Sequence, residues 1–299
     1  MMKYRIFPKA NISVSEISFG CMSIDLNRED NMQLIHAAID GGINYFDTAD
    51  LYDKGDNESF LGEALKAKRK ELIIATKVGN QWRKDGSGWD WNPSKDYILK
   101  AADESLKRLQ TDYIDIYQLH GGTIDDNREE VIEAFESLKA QGKIRYYGIS
   151  SIRPNVIREF AANSKIVSNM MQYSLLDRRG EEAVLSNLHQ QGIGVMVRGG
   201  LARGVLAGKE SIKYLDHSQQ SIDLLLNKMR VFSNENTALN HIALQWVLNH
   251  SAVTSVVLGM RTLEQVQDAL ALNQSTQLSQ AELDEIESVL KPNFYTDHR

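Results

Sequence analysis

The chain has 299 residues, a formal net charge of −6 and one cysteine, Cys21. A chain of this size buries most of its apolar surface without a disulfide or a metal, and a lone cysteine excludes an intramolecular disulfide and fits a reducing compartment. The acidic balance argues against broad binding to nucleic acid or to an anionic membrane surface.

The N-terminal stretch MMKYRIFPKA lacks the apolar core of a secretory leader. No apolar run approaches the roughly 18 residues of a membrane span, so a cytoplasmic protein is expected. YRIFPKANISVS reads as a hairpin, after which short β-rich runs alternate with stretches of helical period. ISFG at 17–20 precedes DNMQLIHAAIDGG, whose glycine pair suits a helix C-cap. INYFDTA leads to a helix around NESFLGEALKAK, and LIIATK at 72–77 leads to the amphipathic SKDYILKAADESLKRLQ. IDIYQLH at 114–120 is followed by EEVIEAFESLKAQGK, and YYGISS at 146–151 by PNVIREFAANS. IVSNMMQYS precedes a helix from Gly180 to Gln190, and GVMVRGG precedes a helix from about Asn234 to His250. TSVVLGM is the last strand, before two closing helices.

Eight strand–helix pairs in this length predict an α/β fold, a (β/α)8 TIM barrel with an N-terminal β-hairpin and extra C-terminal helices. No Pro/Ser-rich linker or shift of composition divides the chain, so residues 1–299 are expected to form one domain. The longest irregular stretch, NQWRKDGSGWDWNP after Gly79, holds Trp82, Trp89 and Trp91, three of the four tryptophans. They could rim a pocket for an aromatic or aliphatic substrate, or pack the loop onto the barrel.

In such a barrel the chemistry sits at the C-terminal ends of the strands. Asp47 ends the second strand, Lys77 the third and His120 the fourth, while Tyr52 lies on the loop just past Asp47. Neighbouring strands are about 4.8 Å apart, so these four side chains can meet. Singly each has a plainer account: a solubilising lysine, a packing histidine or tyrosine, a capping aspartate. The four together, on one corner of one barrel, are a catalytic constellation. A phenol of pKa about 10 is a poor proton donor near neutrality. An ammonium about 4 Å away stabilises the phenolate by up to ~4 kcal/mol at an effective dielectric of 20, roughly three pK units, less whatever Asp47 takes from the lysine. Tyr52 is then expected to act as general acid towards a carbonyl oxygen, with neutral His120 donating a hydrogen bond to the same oxygen. A nicotinamide would supply the hydride that no side chain can.

FDTADLYD, IATKVG and YQLHGG, in this order and spacing, resemble the aldo-keto reductase superfamily over essentially the whole chain. YGISS, QYSLLDRR and LARGVLAGK are most similar to bacterial subgroups related to potassium-channel β subunits. The resemblance implies a catalytic tetrad of Asp47, Tyr52, Lys77 and His120, and an extended NADP(H) laid across the strand ends. No GxGxxG follows the first strand, so a Rossmann site is not expected. Gly20, Cys21 and Met22 would approach the nicotinamide half, Ser150 and Ser151 its carboxamide, with Gln172 standing near a glutamine that relatives place two residues earlier, where Met170 is found here. Arg198 takes the position of a stacking aromatic, and its charge would disfavour the oxidised ring. Leu201, Arg203 and Gly204 would wrap the pyrophosphate. Gly259 would lie against the cofactor, and Arg261, with free amides at a helix start, would hold the 2′-phosphate, with Gln265 and Asp268 near the adenosine.

The expected activity is therefore NADPH-dependent reduction of an aldehyde or ketone, a small-molecule carbonyl whose identity the motifs do not specify. An NADP(H)-sensing binding module with slow oxidoreductase activity is the alternative, and a Schiff-base lyase using Lys77 is a third reading, disfavoured by the adjoining Asp47. The histidines are scattered, without ligand spacing, so no metal is expected.

Overall fold

The computed structural model describes all of residues 1–299. In chain order the strands are β1 (Tyr4–Phe7), β2 (Ile12–Ser15), β3 (Ile17–Gly20), β4 (Tyr45–Asp47), β5 (Ile73–Val78), β6 (Asn80–Trp82), β7 (Trp89–Trp91), β8 (Ile114–Leu119), β9 (Ile144–Ser150), β10 (Ser168–Gln172), β11 (Gly194–Arg198) and β12 (Val253–Leu258). The helices are α1 (Asn31–Asp40), α2 (Asp56–Leu65), α3 (Lys95–Arg108), α4 (Arg128–Ala140), α5 (Pro154–Asn163), α6 (Val184–Gln190), α7 (Gln219–Phe232), α8 (Leu239–Asn249), α9 (Leu263–Ala271) and α10 (Gln280–Glu287).

Strands β3, β4, β5, β8, β9, β10, β11 and β12 close, in that order, into the expected parallel barrel, with β12 pairing back onto β3. Every residue of β5, β8 and β12 is buried, because helices cover one face and the barrel interior is filled. Tyr45, Ala75, Ile116, Met170, Met196 and Val257 fill that interior. A second, larger apolar cluster runs between the strands and the helices, from Met2 to Tyr295.

The N-terminal hairpin, β1 against β2, plugs the lower end. Phe7 and Val14 belong to the interior cluster. Phe7 packs so closely on Gly194 that any Cβ there would lie 2.2 Å from the ring. The end at the C-termini of the strands is left for chemistry.

Three local expectations are corrected. The helix expected from Asn234 begins at Leu239, because Asn234 and Thr237 exchange backbone hydrogen bonds of 3.0 and 3.1 Å in a tight turn. The helix expected from Gly180 begins at Val184, after a single tighter turn over Arg179–Glu182. Between β11 and α8 lies a further helix, α7, capped by the Ser218 hydroxyl. The tryptophan-rich stretch is itself ordered as an antiparallel hairpin, β6–β7, with Trp82 opposite Trp89 and Asn80 opposite Trp91. No helix is long and apolar enough to cross a membrane.

Candidate active site

Asp47 is the last residue of β4, Lys77 the next to last of β5, and His120 follows β8 directly. Backbone pairing sets Asp47 opposite Ala75, so Lys77 stands one pleat further up and its side chain reaches back towards the acid. The Lys77 ammonium donates to Asp47 Oδ1 at 2.5 Å, to the Thr48 carbonyl at 2.8 Å and to the Tyr52 hydroxyl at 3.4 Å. Its three protons are thereby assigned to three acceptors. Because the Tyr52 oxygen accepts from Lys77, its own proton is left to point elsewhere. Gln118, paired with Lys77 across β5 and β8, donates to Asp47 Oδ2 at 3.4 Å. The His120 ring stands edge-on to Tyr52, with 5.8 Å between centroids, and its Nδ1 has no partner.

Lys77 is 1% exposed and Asp47 4%. Burial alone would lower the Lys77 pKa, but Asp47 and Tyr52 outweigh it and the ammonium is held above its ordinary range. Burial pushes the Asp47 carboxyl up, while Lys77 and Gln118 pull it back. Facing a stabilised ammonium at 2.5 Å, Asp47 is the anion of a buried ion pair. Burial, then Lys77 and Arg198, press His120 down to about 3, so its imidazole is neutral at any physiological pH.

Tyr52 departs from expectation. Its pKa is raised, because burial outweighs Lys77, and Asp47 adds to the rise. The lysine's charge is largely spent on the carboxylate at 2.5 Å, and the phenol at 3.4 Å receives the remainder. A tyrosine held protonated is suited to giving a proton to a developing alkoxide, which is far more basic than a phenolate. It is less suited to taking one away.

On the loop between Asp47 and Tyr52 lies Asp50, 8% exposed. Its Oδ2 accepts from the Tyr97 hydroxyl at 3.3 Å and its Oδ1 has no partner. Burial first, then the nearby Glu58, push this carboxyl up to about 8, against Arg108 and Tyr97. An aspartate that titrates near 3.9 when unfolded therefore keeps its proton in the fold across the intervening range. Its contribution to stability is full below about pH 4 and is lost as the pH rises towards 8. Asp50→Asn, which cannot ionise, should melt progressively higher than the parent as pH is raised from about 5 to about 8, with the gap level above that. Thermal melts in stepped buffers check this, and a gap that does not widen would mean that Asp50 is ionised in the fold.

Tyr52, Lys77, His120, Ser150, Ser151, Arg198 and Met22 line one cavity of about 640 Å³. Leu201, Arg203, Gly204, Gly259, Arg261, Gln265 and Asp268 line a second of about 380 Å³, which begins at Gly199, next to Arg198. Lys209 joins Arg203 and Arg261 in this second cleft, and none of the three has a carboxylate partner, while Gly199, Gly200, Gly204 and Gly259 leave its walls low. Such a donor set fits a phosphorylated nucleotide. The Arg261 N–H is occupied by Gln265 Oε1 at 2.7 Å, and Asp268 is held by Asn240 and by His241. A broader concavity of about 800 Å³ lies by the N-terminal hairpin, but its buried acid, Asp115, is already paired with Arg69 and Arg145.

Gly20, Cys21 and Gln172 line neither cleft. The Cys21 thiol is fully buried and pushed up by that burial, and the residue lends its carbonyl to Asn57 at 3.0 Å. Met170, two residues before Gln172, lines the first cavity in its place. Of the three tryptophans only Trp89, 47% exposed, faces the cavity. Trp91 turns to Asp126 at 2.9 Å and Trp82 to the Leu51 carbonyl at 3.1 Å, so of the two accounts open for the tryptophans, packing the loop onto the barrel fits these two. The sequence offered no hint of Tyr295–His298, which complete the wall of the mouth from the far end of the chain. The His298 carbonyl accepts from the Asn155 N–H at 2.8 Å, which ties this tail down.

The profile of the Aldo/keto reductase family matches residues 16–291. The chain belongs to the aldo/keto reductase family. The uncharacterized oxidoreductase YqkF of Bacillus subtilis (strain 168) is 44% identical to it, with all of both chains aligned. Among solved structures, the aldo-keto reductase AKR11C1 from Bacillus halodurans superimposes over all of both chains, at a TM-score of 0.94 and 46% identity for the holo form. The apo form of that protein gives 0.85 and 42%. Membership makes this chain an oxidoreductase of the kind that uses a nicotinamide cofactor on small-molecule carbonyls. Within an aldo-keto reductase, the cluster around Lys77 and the phosphate-ready cleft beside it take on complementary meanings.

Proposed function

We propose that this aldo-keto reductase reduces an aldehyde or ketone with NADPH, Tyr52 giving the proton to the carbonyl oxygen. The observation that carries the reading is the Tyr52 hydroxyl held as acceptor by Lys77 at 3.4 Å, which leaves its proton free beside a neutral histidine. NADPH supplies the hydride when bound. Arg203 and Lys209 would hold its pyrophosphate and Arg261 its 2′-phosphate, with Asp268 near the adenosine. The Arg198 guanidinium, on the wall of the cavity, would lie against the nicotinamide, and its charge favours release of the oxidised form.

Asp47 keeps Lys77 charged and aimed, Lys77 turns the phenol oxygen and stabilises the phenolate left behind, and His120 orients the carbonyl. After reduction Tyr52 regains a proton from solvent through the open mouth. The protein would do this as a single cytoplasmic domain.

A fluorescence titration with NADPH and NADH, followed by turnover of a panel of aldehydes and ketones, tests the proposal. Arg261→Ala should weaken NADPH binding by about tenfold or more, the loss of one charge-assisted contact, and leave NADH nearly unchanged. Equal losses for both nucleotides would remove the assignment of the 2′-phosphate. Tight NADPH binding with no turnover of any carbonyl would point to a nucleotide sensor instead.

A further inference from the structure

The segment that carries Tyr52 is an awkward piece of backbone. Asp53, Lys54 and Gly55 follow the tyrosine with φ of 49°, 55° and 97°, three successive left-handed residues of which only one is glycine. Such a stretch costs energy and persists only where its surroundings hold it. From below it is held by Asn57, whose amide reaches the Asp53 carboxylate at 3.3 Å. From above it is held by the β6–β7 hairpin. The Trp82 indole N–H donates to the carbonyl of Leu51, the residue before Tyr52, at 3.1 Å. The ammonium of Lys54, two residues after Tyr52, sits over the Trp82 ring at 5.2 Å from its centroid. One indole thus grips the chain on both sides of the phenol. At the hairpin's base the Tyr97 hydroxyl bridges the Asp50 carboxyl and the Asn80 carbonyl, at 3.3 and 3.5 Å.

We propose that Trp82 is a positioning residue for Tyr52, and that it couples the proton donor to Trp89, the residue opposite it in the hairpin, which faces the substrate cavity. Trp82 and Trp89 are directly paired in the ladder, and the flanking Arg83 and Asp90 are ion-paired at 2.5 Å. The pairing joins the strand that carries Trp82 to the strand that carries Trp89. A carbonyl compound seated against Trp89 presses on the element that holds Leu51 and Lys54, and so on the placement of the phenol over Lys77. The inference rests on the reading of Tyr52 as the proton donor.

Trp82→Phe keeps most of the packing and removes the donor. It should lower kcat about tenfold, the rate equivalent of one well-made hydrogen bond, with KM and NADPH affinity within about twofold of the parent. Amide hydrogen exchange over residues 51–56 should quicken about tenfold while the barrel strands keep their protection. Trp91→Phe is the control: it removes an equivalent bond from the same hairpin, the one to Asp126, and should change neither reading. The proposal is overturned if Trp82→Phe leaves both kcat and exchange as they were, or if Trp91→Phe reproduces its losses, which would assign them to hairpin stability. Should the parent protein turn over no carbonyl, the functional reading fails by itself, and the exchange of residues 51–56 in Trp82→Phe still decides for or against the clamp.

Discussion

Tyr52→Phe is expected to lower kcat for carbonyl reduction by about 10²–10⁴-fold while NADPH titrates as in the parent protein. The ring survives the change, so the edge-on contact with His120, 5.8 Å between centroids, and the filling of the cavity are preserved. What disappears is the one proton donor whose oxygen is fixed by an ammonium. His120, neutral and lacking a partner at Nδ1, can still offer a hydrogen bond, but an imidazole cannot deliver a proton and remain neutral. The pH profile supplies a second check. With Tyr52 as the proposed donor, reduction needs the phenol protonated, and burial raises its pKa, so kcat in the parent should persist beyond the ordinary phenol value of about 10. Stopped-flow measurement of the chemical step separates this from product release. Retention of more than about a tenth of kcat by the phenylalanine variant would assign the proton to another group.

The second large effect is on stability. Asp47→Asn leaves the Lys77 ammonium, 1% exposed, without a counter-charge. Breaking one side of a buried pair costs about 3–5 kcal/mol, and the lower end applies because the amide oxygen still accepts from the ammonium. At about 2–4 °C per kcal/mol this is a fall in Tm of roughly 6–12 °C, with activity lost as well. Pairing it with Lys77→Met should recover part of the stability and none of the activity, since the methionine buries no charge. Scanning calorimetry of the two single variants and the double completes the cycle. A Tm for Asp47→Asn within about 2 °C of the parent would mean that Lys77 is uncharged in the fold.

Much of this site was legible because parallel barrels convert sequence order into geometry. Once eight β-rich runs were counted, Asp47, Lys77 and His120 had to share one rim, and the structure gathers them there with Tyr52. The strained loop of Tyr52 is invisible in the sequence, because aspartate takes positive φ only occasionally and lysine rarely, so nothing in Asp53–Lys54–Gly55 announces three such residues in a row. Helix α7 has helical period in QQSIDLLLNKMRVF but falls outside a pattern of one helix after each strand, since β11 is followed by two before β12. The direction of the Tyr52 shift turned on a competition, between Asp47 and the phenol for one lysine, that only distances decide. Tyr295–His298 reach the mouth from beyond the last helix, a contact between remote parts of the chain that no periodicity announces.

The ring of strands also divides labour. The acid, the lysine and the histidine come from β4, β5 and β8, which are neighbours on one arc. The phosphate-ready loops follow β11 and β12, on another arc, with β3 between the two. Substitutions in one arc touch few residues of the other, so their effects should largely add. If the cleft after β11 and β12 holds the coenzyme as proposed, a lineage descended from this chain could exchange one coenzyme for another by editing those loops while the cluster around Lys77 stayed untouched. Within such a family, redox currency and carbonyl chemistry are free to diversify on separate schedules.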